Sequence, residues 1–483
     1  MSAINVPYTG FSFLPHQEVG VRWMIEREMS GDGICRGGIL ADDMGLGKTW
    51  QTIGLLTNCL VGKTLLVAPP VLISQWQEAL DKSGVITALF WDKKWKGAED
   101  AAVYLVTYDK VWRNMKLMTE RVWDRVVLDE GHFIRNAKTK RAQSLLQVRG
   151  DRKWVLSGTP VQNGLSDFRT LLDWLGYEVP RIGAMAACQE LAKTVLLRRP
   201  ITLLANVMPA PPTHEKETLV YDGGAEFNTF NVLVGRLQDA MSANYPSACI
   251  LELYLRVQMF ISHPQIYRDA MNRKYGGSYF SGPWQGTATK LAAFNTLLDV
   301  DSVSPTLVFC NFKLEMDYVA DAATAHGYKV YFIRGGMGGA ERKHGISESI
   351  RLAKAGVPVL MICQIVAGNC GLNLQHLTRV IFYTQHWNPS VMDQAMTRSY
   401  RYGQKSEVTV HHLILGSPEL RNIDRCMLEK HAEKRSLTFM LCPSLKFAFH
   451  PDFVVPGAGA GGSGLLMPLN FEEQEQEPED PVE

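Results

Sequence analysis

The sequence has no CxxC pair, and its nine cysteines are scattered through 483 residues. That spacing excludes a zinc ribbon or RING-type framework and a small disulfide scaffold. It reads instead as the reduced, mostly buried thiols of an intracellular protein. No apolar run approaches the roughly 20 residues that cross a bilayer. The start, MSAINVPYTGFSFLPH, lacks the basic segment and apolar core of a secretory signal. The expectation is therefore a protein that is neither secreted nor membrane-embedded. Nor is there a dense basic cluster for nuclear import. Net charge is nearly absent too, at +1, but the sum conceals an asymmetry. Residues 472–483, EEQEQEPEDPVE, carry seven acidic groups and no basic one, so elsewhere 50 basic residues face 42 acidic ones. The remainder is mildly basic.

What the chain does have is an ordinary globular composition, 46% hydrophobic and 20% charged, over a length of about three domains. Apolar runs of strand length alternate with helical stretches. LLVAPP (Leu65 to Pro70), VYLVTY (Val103 to Tyr108), WDRVVLDEGHFIRN (Trp123 to Asn136) and KWVLSGTPVQNGLSDFRTLLDWL (Lys153 to Leu175) show the pattern. It predicts a parallel, doubly wound α/β sheet. Phe13 to Met29 predicts a turn at Pro15 and then an amphipathic helix. Ser74 and Gln77 have the spacing of a capping box for the helix after Pro70.

The stretch ILADDMGLGKTWQTI, Ile39 to Ile53, organises the first half. Gly45 and Gly47 let backbone N–H groups approach an anion, and the helix opened by Lys48 and Thr49 adds its positive end. Lys48 would reach the β- and γ-phosphates of a nucleotide, and the Thr49 hydroxyl would ligate Mg²⁺. The general phosphate-loop pattern has glycine five residues before Gly47, where this chain has Asp42. Asp129 and Glu130 follow the buried run Val126 to Leu128, where open α/β sheets place their ligands. Adjacent acids there divide labour: one holds Mg²⁺, the other orients and deprotonates an attacking water. Ser157, Thr159 and Gln162 stand at a third strand end, where they could sense phosphate or simply cap a helix.

The order ADDMGLGKT, LLVAPP, VTY, DEGH followed by IRN, and SGTPVQN resembles helicase superfamily 2. More narrowly it resembles the Swi/Snf-type ATP-dependent DNA translocases. GGILADDMGLGKT and DEGH are similar to the helicase-like transcription factor and termination-factor branch. The resemblance makes the missing first glycine a family trait. It implies ATP held by Gln17, which would contact adenine, with Asp42, Asp43, Met44, Gly45, Leu46, Gly47, Lys48, Thr49 and Gln404. It further implies Mg²⁺ on Thr49 and Asp129.

In the second half, TLVFCNF (Thr306 to Phe312), KVYFIRGG (Lys329 to Gly336), VPVLMIC (Val357 to Cys363), RVIFYTQHWNPS (Arg379 to Ser390) and VTVHHLI (Val408 to Ile414) match that family's second lobe in order. AGNCGLNL (Ala367 to Leu374) departs from the usual AGGLGLNL at Asn369 and Cys370. Ser390 and Asp393 have capping spacing, which predicts a helix carrying Arg398 and Arg401 one turn apart on one face. Alone, those two read as a solvated basic face. The resemblance makes them arginine fingers, with Thr397 where the family usually has Asp. His411 and His412 read as strand residues rather than metal ligands. Between the halves, PAPP (Pro209 to Pro212) breaks regular structure, Leu251 to Pro264 reads as a helix, and Asn272 to Gly286 as a loop.

The expected architecture is thus two RecA-like α/β lobes with parallel sheets, with ATP and DNA in the cleft between them. Residues 1–205 form the ATP-binding lobe, 206–288 helical protrusions and a linker, and 289–450 the helicase lobe. Residues 451–483 form a Gly-rich linker (Gly457 to Gly464) and an acidic tail. The expected activity is DNA-stimulated ATP hydrolysis with translocation on double-stranded DNA, catalysed by Lys48, Glu130, Arg398 and Arg401. The expected cofactors are ATP and Mg²⁺. Expected partners are duplex DNA and chromatin, transcription or repair proteins, with the motor a monomer in the nucleus or at a site of viral replication. The alternatives are a strand-separating DNA or RNA helicase and a catalytically silent DNA-binding scaffold.

Overall fold

The structure is a computed structural model that describes residues 4–416 except 92–93, 98–99, 163, 222–223, 244, 278 and 369–371, together with 424 and 427. The Asn369–Cys370 departure, the Gly-rich linker and the acidic tail lie outside the described residues.

The first sheet holds eight strands. They are β1 (Arg36–Leu40), β2 (Thr64–Ala68), β3 (Thr87–Trp91), β4 (Lys94–Gly97), β5 (Val103–Thr107), β6 (Trp123–Asp129), β7 (Gly150–Leu156) and β8 (Leu196–Leu197). Their spatial order is β4-β3-β5-β2-β6-β7-β1-β8. Every pairing is parallel except β3 with β4. β2 is buried along its whole length, as is Val126–Leu128 of β6. Continuous apolar runs are what a sheet covered on both faces requires. Because β7 lies between β1 and β6, the loops leaving those three strands open side by side at one edge.

Helix α1 (Pro15–Ser30) begins with Pro at its first turn, where the missing N–H costs nothing. It is pinned to the sheet by Glu28, which is 1% exposed. The Glu28 carboxylate accepts from Arg125 Nε at 2.6 Å and Nη2 at 2.5 Å, and from the Trp154 indole at 2.8 Å. So fully desolvated a pair holds only when both partners are hydrogen-bonded.

The second sheet has six strands, all parallel, in the order β11-β12-β10-β13-β14-β9. These are β9 (Thr213–Val220), β10 (Thr306–Cys310), β11 (Lys329–Ile333), β12 (Val359–Gln364), β13 (Arg379–Phe382) and β14 (Thr409–Gly416). Segment 206–288 contains three helices, Gly224–Ser242, Ser247–Ser262 and Pro264–Lys274, and also supplies the edge strand β9. THEKETLV does not announce a strand, because charged residues suit an exposed edge that must resist further pairing.

Two local expectations are corrected. Ser74 lies inside helix α3 (Ile73–Lys82), which follows a 3₁₀ turn at Pro70–Leu72, and no side chain caps its start. The β3–β4 hairpin, for which the sequence carries no expectation, lies just before Val103. The helix after Asn388 runs only from Pro389 to Met396, capped by the Asn388 side chain accepting from Ser390 N–H. Arg398 and Arg401 therefore lie beyond it, in successive tight turns. Past the end of the helix the Arg398 carbonyl accepts from the Leu374 N–H at 3.0 Å, and the Thr397 hydroxyl folds back onto the Gln394 carbonyl at 2.8 Å.

Candidate active site

Between β1 and helix α2 (Lys48–Asn58) the chain turns through Gly45 at φ 91° and Gly47 at φ 79°, a conformation that disfavours any side chain. Gly47 is the N-terminal cap of α2 and offers no side-chain acceptor to the first amides of the helix. Those donors are thus aimed outward, as an anion cradle requires. At Gly47 a Cβ would also strike Gln17 Nε2 at 2.4 Å.

Met44, Gly45, Gly47, Lys48, Thr49, Asp129, Glu130, Arg398 and Arg401 line one cleft of about 280 Å³, joined by Thr397 and by Gln75, Trp76, Glu78 and Lys82 of α3. This volume lies just below the range of ligand sites, roughly 300–1,000 Å³. The Lys48 ammonium donates to the Asp42 carbonyl at 2.7 Å. In the same cleft the Asp129 carboxylate accepts from the Trp76 indole at 2.6 Å and from the Glu130 N–H at 3.0 Å. The Tyr108 hydroxyl donates to the Asp129 carbonyl at 2.7 Å. Glu130 is the one described non-glycine residue with positive φ, at 51°. Such strain persists only where surrounding structure over-determines it, and it clusters at functional sites.

The two acids have been driven apart. Burial and the neighbouring Glu130 charge push the Asp129 carboxyl up to about 7. Burial also pushes Glu130 up, but His132, whose Nδ1 lies 3.2 Å from its carboxylate, together with Lys48 and Arg398, outweighs it and leaves Glu130 below the ordinary range. An ionised acid beside a proton-holding one is the division expected of a base and a cation ligand. The Asp129 and Thr49 oxygens form a hard donor set that fits Mg²⁺, and the raised Asp129 is the group a cation would restore to its charged form.

Arg398 and Arg401 reach this cleft from the second lobe. Burial pulls the Arg401 guanidinium below its usual value, and the Cβ atom built on Gly45 would lie 3.6 Å from Arg401 Cβ. Thr397 Oγ1 contacts Met44 Sδ at 3.9 Å, and the Asn388 amide donates to Gln162 Oε1 at 3.0 Å. Gln162 in turn accepts from Arg135 at 2.8 Å. The two lobes thus touch through the polar turn after β7 as well as through the phosphate loop.

Other expected residues stand behind the cleft and do not line it. Gln17 accepts from the Leu14 N–H at 3.1 Å and donates to the Leu46 carbonyl at 3.2 Å, supporting the loop from the rear. Asp42 is fully buried against Arg199, and Asp43 pairs with Arg198. Leu46 is buried in the hydrophobic cluster of the second sheet. Gln404 donates to the Gln375 and Ser399 carbonyls at 2.8 and 2.9 Å. Sequence patterns do not single out Arg198, Arg199, Trp76, Tyr108 or His132, which the structure adds to the site. For the two arginines the available signal is the match of two consecutive basic residues to the two consecutive acids Asp42 and Asp43. Near the start of β14, His411 Nδ1 lies 3.2 Å from Glu215 and 3.8 Å from Glu217, and burial lowers the His411 imidazole below its ordinary value.

Residues 16–181 match the family model described as SNF2-related domain, and residues 289–403 match the helicase conserved C-terminal domain. The chain is 27% identical over 456 residues to the putative ATP-dependent helicase/translocase YwqA of Bacillus subtilis (strain 168), covering 86% of this chain and 47% of that protein. It is 26% identical over 464 residues to the probable global transactivator of Orgyia pseudotsugata multicapsid polyhedrosis virus, covering 89% and 91% respectively. It is 24% identical over 530 residues to the human DNA repair and recombination protein RAD54B, covering 93% and 57%. The chain therefore spans about half the length of the bacterial relative and nearly all of the viral one. Two α/β lobes that share one cleft, and two family models that together take in more than half of the chain, place it in the Swi/Snf-type family of helicase superfamily 2.

Proposed function

We propose that the protein hydrolyses ATP and uses the cycle to move along double-stranded DNA and remodel protein–DNA complexes. The observation that carries this reading is that charge-compensating groups from two lobes line a single cleft. Lys48 and the outward-facing amides of α2 bind the phosphates. Glu130 is the base that orients and deprotonates the attacking water, and Arg398 and Arg401 compensate charge developing on the transferred phosphoryl group. Thr49 and Asp129 would hold Mg²⁺, which neutralises phosphate charge when bound. Because the arginines belong to the other lobe, full compensation needs lobe contact, so hydrolysis is tied to a change in lobe spacing. If both lobes grip one DNA backbone, that change becomes a step along it, through phosphate contacts that carry no sequence information.

The same reading assigns 1–205 to the ATP-binding lobe, 206–288 to protrusions and linker, and 289–450 to the helicase lobe, with Gln17 at the adenine end and Gln404 supporting the arginine turn. It places the protein with DNA, in a nucleus or at a site of viral replication. The test is ATP turnover with duplex DNA, single-stranded DNA or single-stranded RNA. Duplex DNA should stimulate most, and Lys48→Ala should abolish turnover. Stimulation by single-stranded RNA alone would overturn the duplex reading, and an unaffected Lys48→Ala variant would make the cleft a silent scaffold.

A further inference from the structure

Directly after β8 the chain makes a run of contacts that the hydrolytic cycle does not use. Arg199 donates from Nε to Asp42 Oδ1 at 2.8 Å, from Nη2 to Asp42 Oδ2 at 2.5 Å and to Gln51 Oε1 at 2.8 Å, and from Nη1 to the His16 carbonyl. Gln51 also donates to Asp42 Oδ2 at 3.0 Å. Arg198 donates to Asp43 Oδ1 at 3.1 Å and to the Gly158 carbonyl at 3.0 Å, in the turn after β7. The backbones pair too: Ala41 N–H to the Leu197 carbonyl at 2.7 Å, and Asp43 N–H to the Arg199 carbonyl at 3.0 Å. The Ile201 N–H closes on Asp43 Oδ2 at 3.1 Å. Asp42, the residue standing where a general phosphate loop has glycine, is thus the acceptor for a fork of guanidinium donors. Gly20, in the middle of α1, leaves room for that fork, since a Cβ there would lie 1.9 Å from Gln51 Oε1 and 2.7 Å from Arg199 Nη2.

The same segment then crosses to the other lobe. Ile201, Leu204 and Met208 are buried with Leu46 in one cluster with Leu307, Phe309 and Val380 of the second sheet. One residue further, the Pro209 carbonyl accepts from the Tyr400 hydroxyl at 2.9 Å. Tyr400 lies between Arg398 and Arg401. A single stretch of chain, 198–209, therefore grips the phosphate loop at one end and the arginine turn at the other.

We infer that Arg198, Arg199 and Tyr400 are positioning residues that couple the two halves of the ATP site through the 198–209 strap. The strap sets the phosphate loop in register with the arginine turn, so that closure of one half is felt at the other. This rests on the ATP-motor reading proposed for the cleft. A purely structural role would let each contact stabilise its own lobe independently. A coupling role makes their effects on turnover non-additive.

The experiment is a double-mutant cycle of Arg199→Lys and Tyr400→Phe, read as kcat and as KM for ATP, with and without duplex DNA. Both singles keep the charge or ring and remove the specific hydrogen bonds. Each should lower DNA-stimulated kcat by about threefold or more, and the double variant should be no slower than the slower single. Multiplicative losses would overturn the coupling, as would singles that alter only thermal stability. If Arg199→Lys does not fold, the cycle of Arg198→Lys with Tyr400→Phe distinguishes the same two outcomes. Should wild-type turnover prove indifferent to DNA, the translocase reading falls, while the cycle on basal kcat still decides the strap.

Discussion

The two walls of the cleft are built on different principles. The first-lobe wall is local: Lys48 and Thr49 open a helix directly after β1, and Asp129 and Glu130 end β6. Each side chain is placed by the strand, turn or helix that carries it, within a sheet whose central strands are buried. The second-lobe wall is not local. Arg398 and Arg401 sit in turns past the end of the Pro389–Met396 helix, held by the Leu374 N–H and by contacts of their neighbours Thr397 and Tyr400 to Met44 and the strap. The first wall can bind; the second completes the site only when the lobes meet. Binding and turnover should then separate cleanly between the walls.

The largest separation is expected at the arginines. Arg398→Ala should lower kcat by about 10³-fold or more, the scale of an arginine finger, with ATP affinity changed far less. A comparable loss of affinity, measured by nucleotide titration, would make Arg398 part of the binding wall. Glu130→Gln should lower kcat by roughly 10²–10⁴-fold and leave Mg²⁺-dependent nucleotide binding intact, because the amide keeps the shape and removes only the base.

The next expectation concerns pH. With the Asp129 carboxyl pushed up to about 7, the fold holds that proton more tightly than the unfolded chain does. Its contribution to stability is present below the ordinary value of 3.8 and is lost as pH rises through about 7. The same proton competes with the cation, so Mg²⁺ affinity should fall about tenfold from pH 8 to pH 6. Isothermal titration should show this slope in the wild type and its loss in Asp129→Asn. The smallest effect is expected at the lobe contact. Asn388→Asp keeps the oxygen that caps Ser390 N–H and removes only the amide donor to Gln162, a hydrogen bond of order 1 kcal/mol. DNA-stimulated kcat should fall about fivefold, while the melting temperature of the first lobe moves little. An equal fall in unstimulated turnover would assign Asn388 to the chemistry instead of the contact.

The same contrast governs what the sequence discloses. The first wall is legible, because a glycine turn before Lys48 and a strand-end acid pair are short patterns with a physical cause. Most strands of both sheets are legible for the same reason: buried parallel strands read as unbroken apolar runs. Edge strand β9 is not, since THEKETLV is polar to suit its exposed position. The arginine turn is legible only by resemblance. Helical spacing puts Arg398 and Arg401 on a shared face, but the helix ends at Met396, and beyond it the Arg398 carbonyl is held by the N–H of Leu374, 24 residues earlier in the sequence. Arg198 and Arg199 escape a sequence reading because their partners Asp42 and Asp43 lie more than 150 residues away. No local period links them.

The most direct measurement compares the dissociation constant of ADP alone with that of ADP plus aluminium fluoride, a mimic of the transferred phosphoryl group, in the wild type and in Arg401→Ala. Transition-state mimics bind roughly 10²-fold tighter or more where the compensating charges are in place. The wild type should tighten by at least about that factor with duplex DNA present. Arg401→Ala should bind ADP as the wild type does and gain little from the fluoride. Equal tightening in both proteins would contradict a site completed by the second lobe.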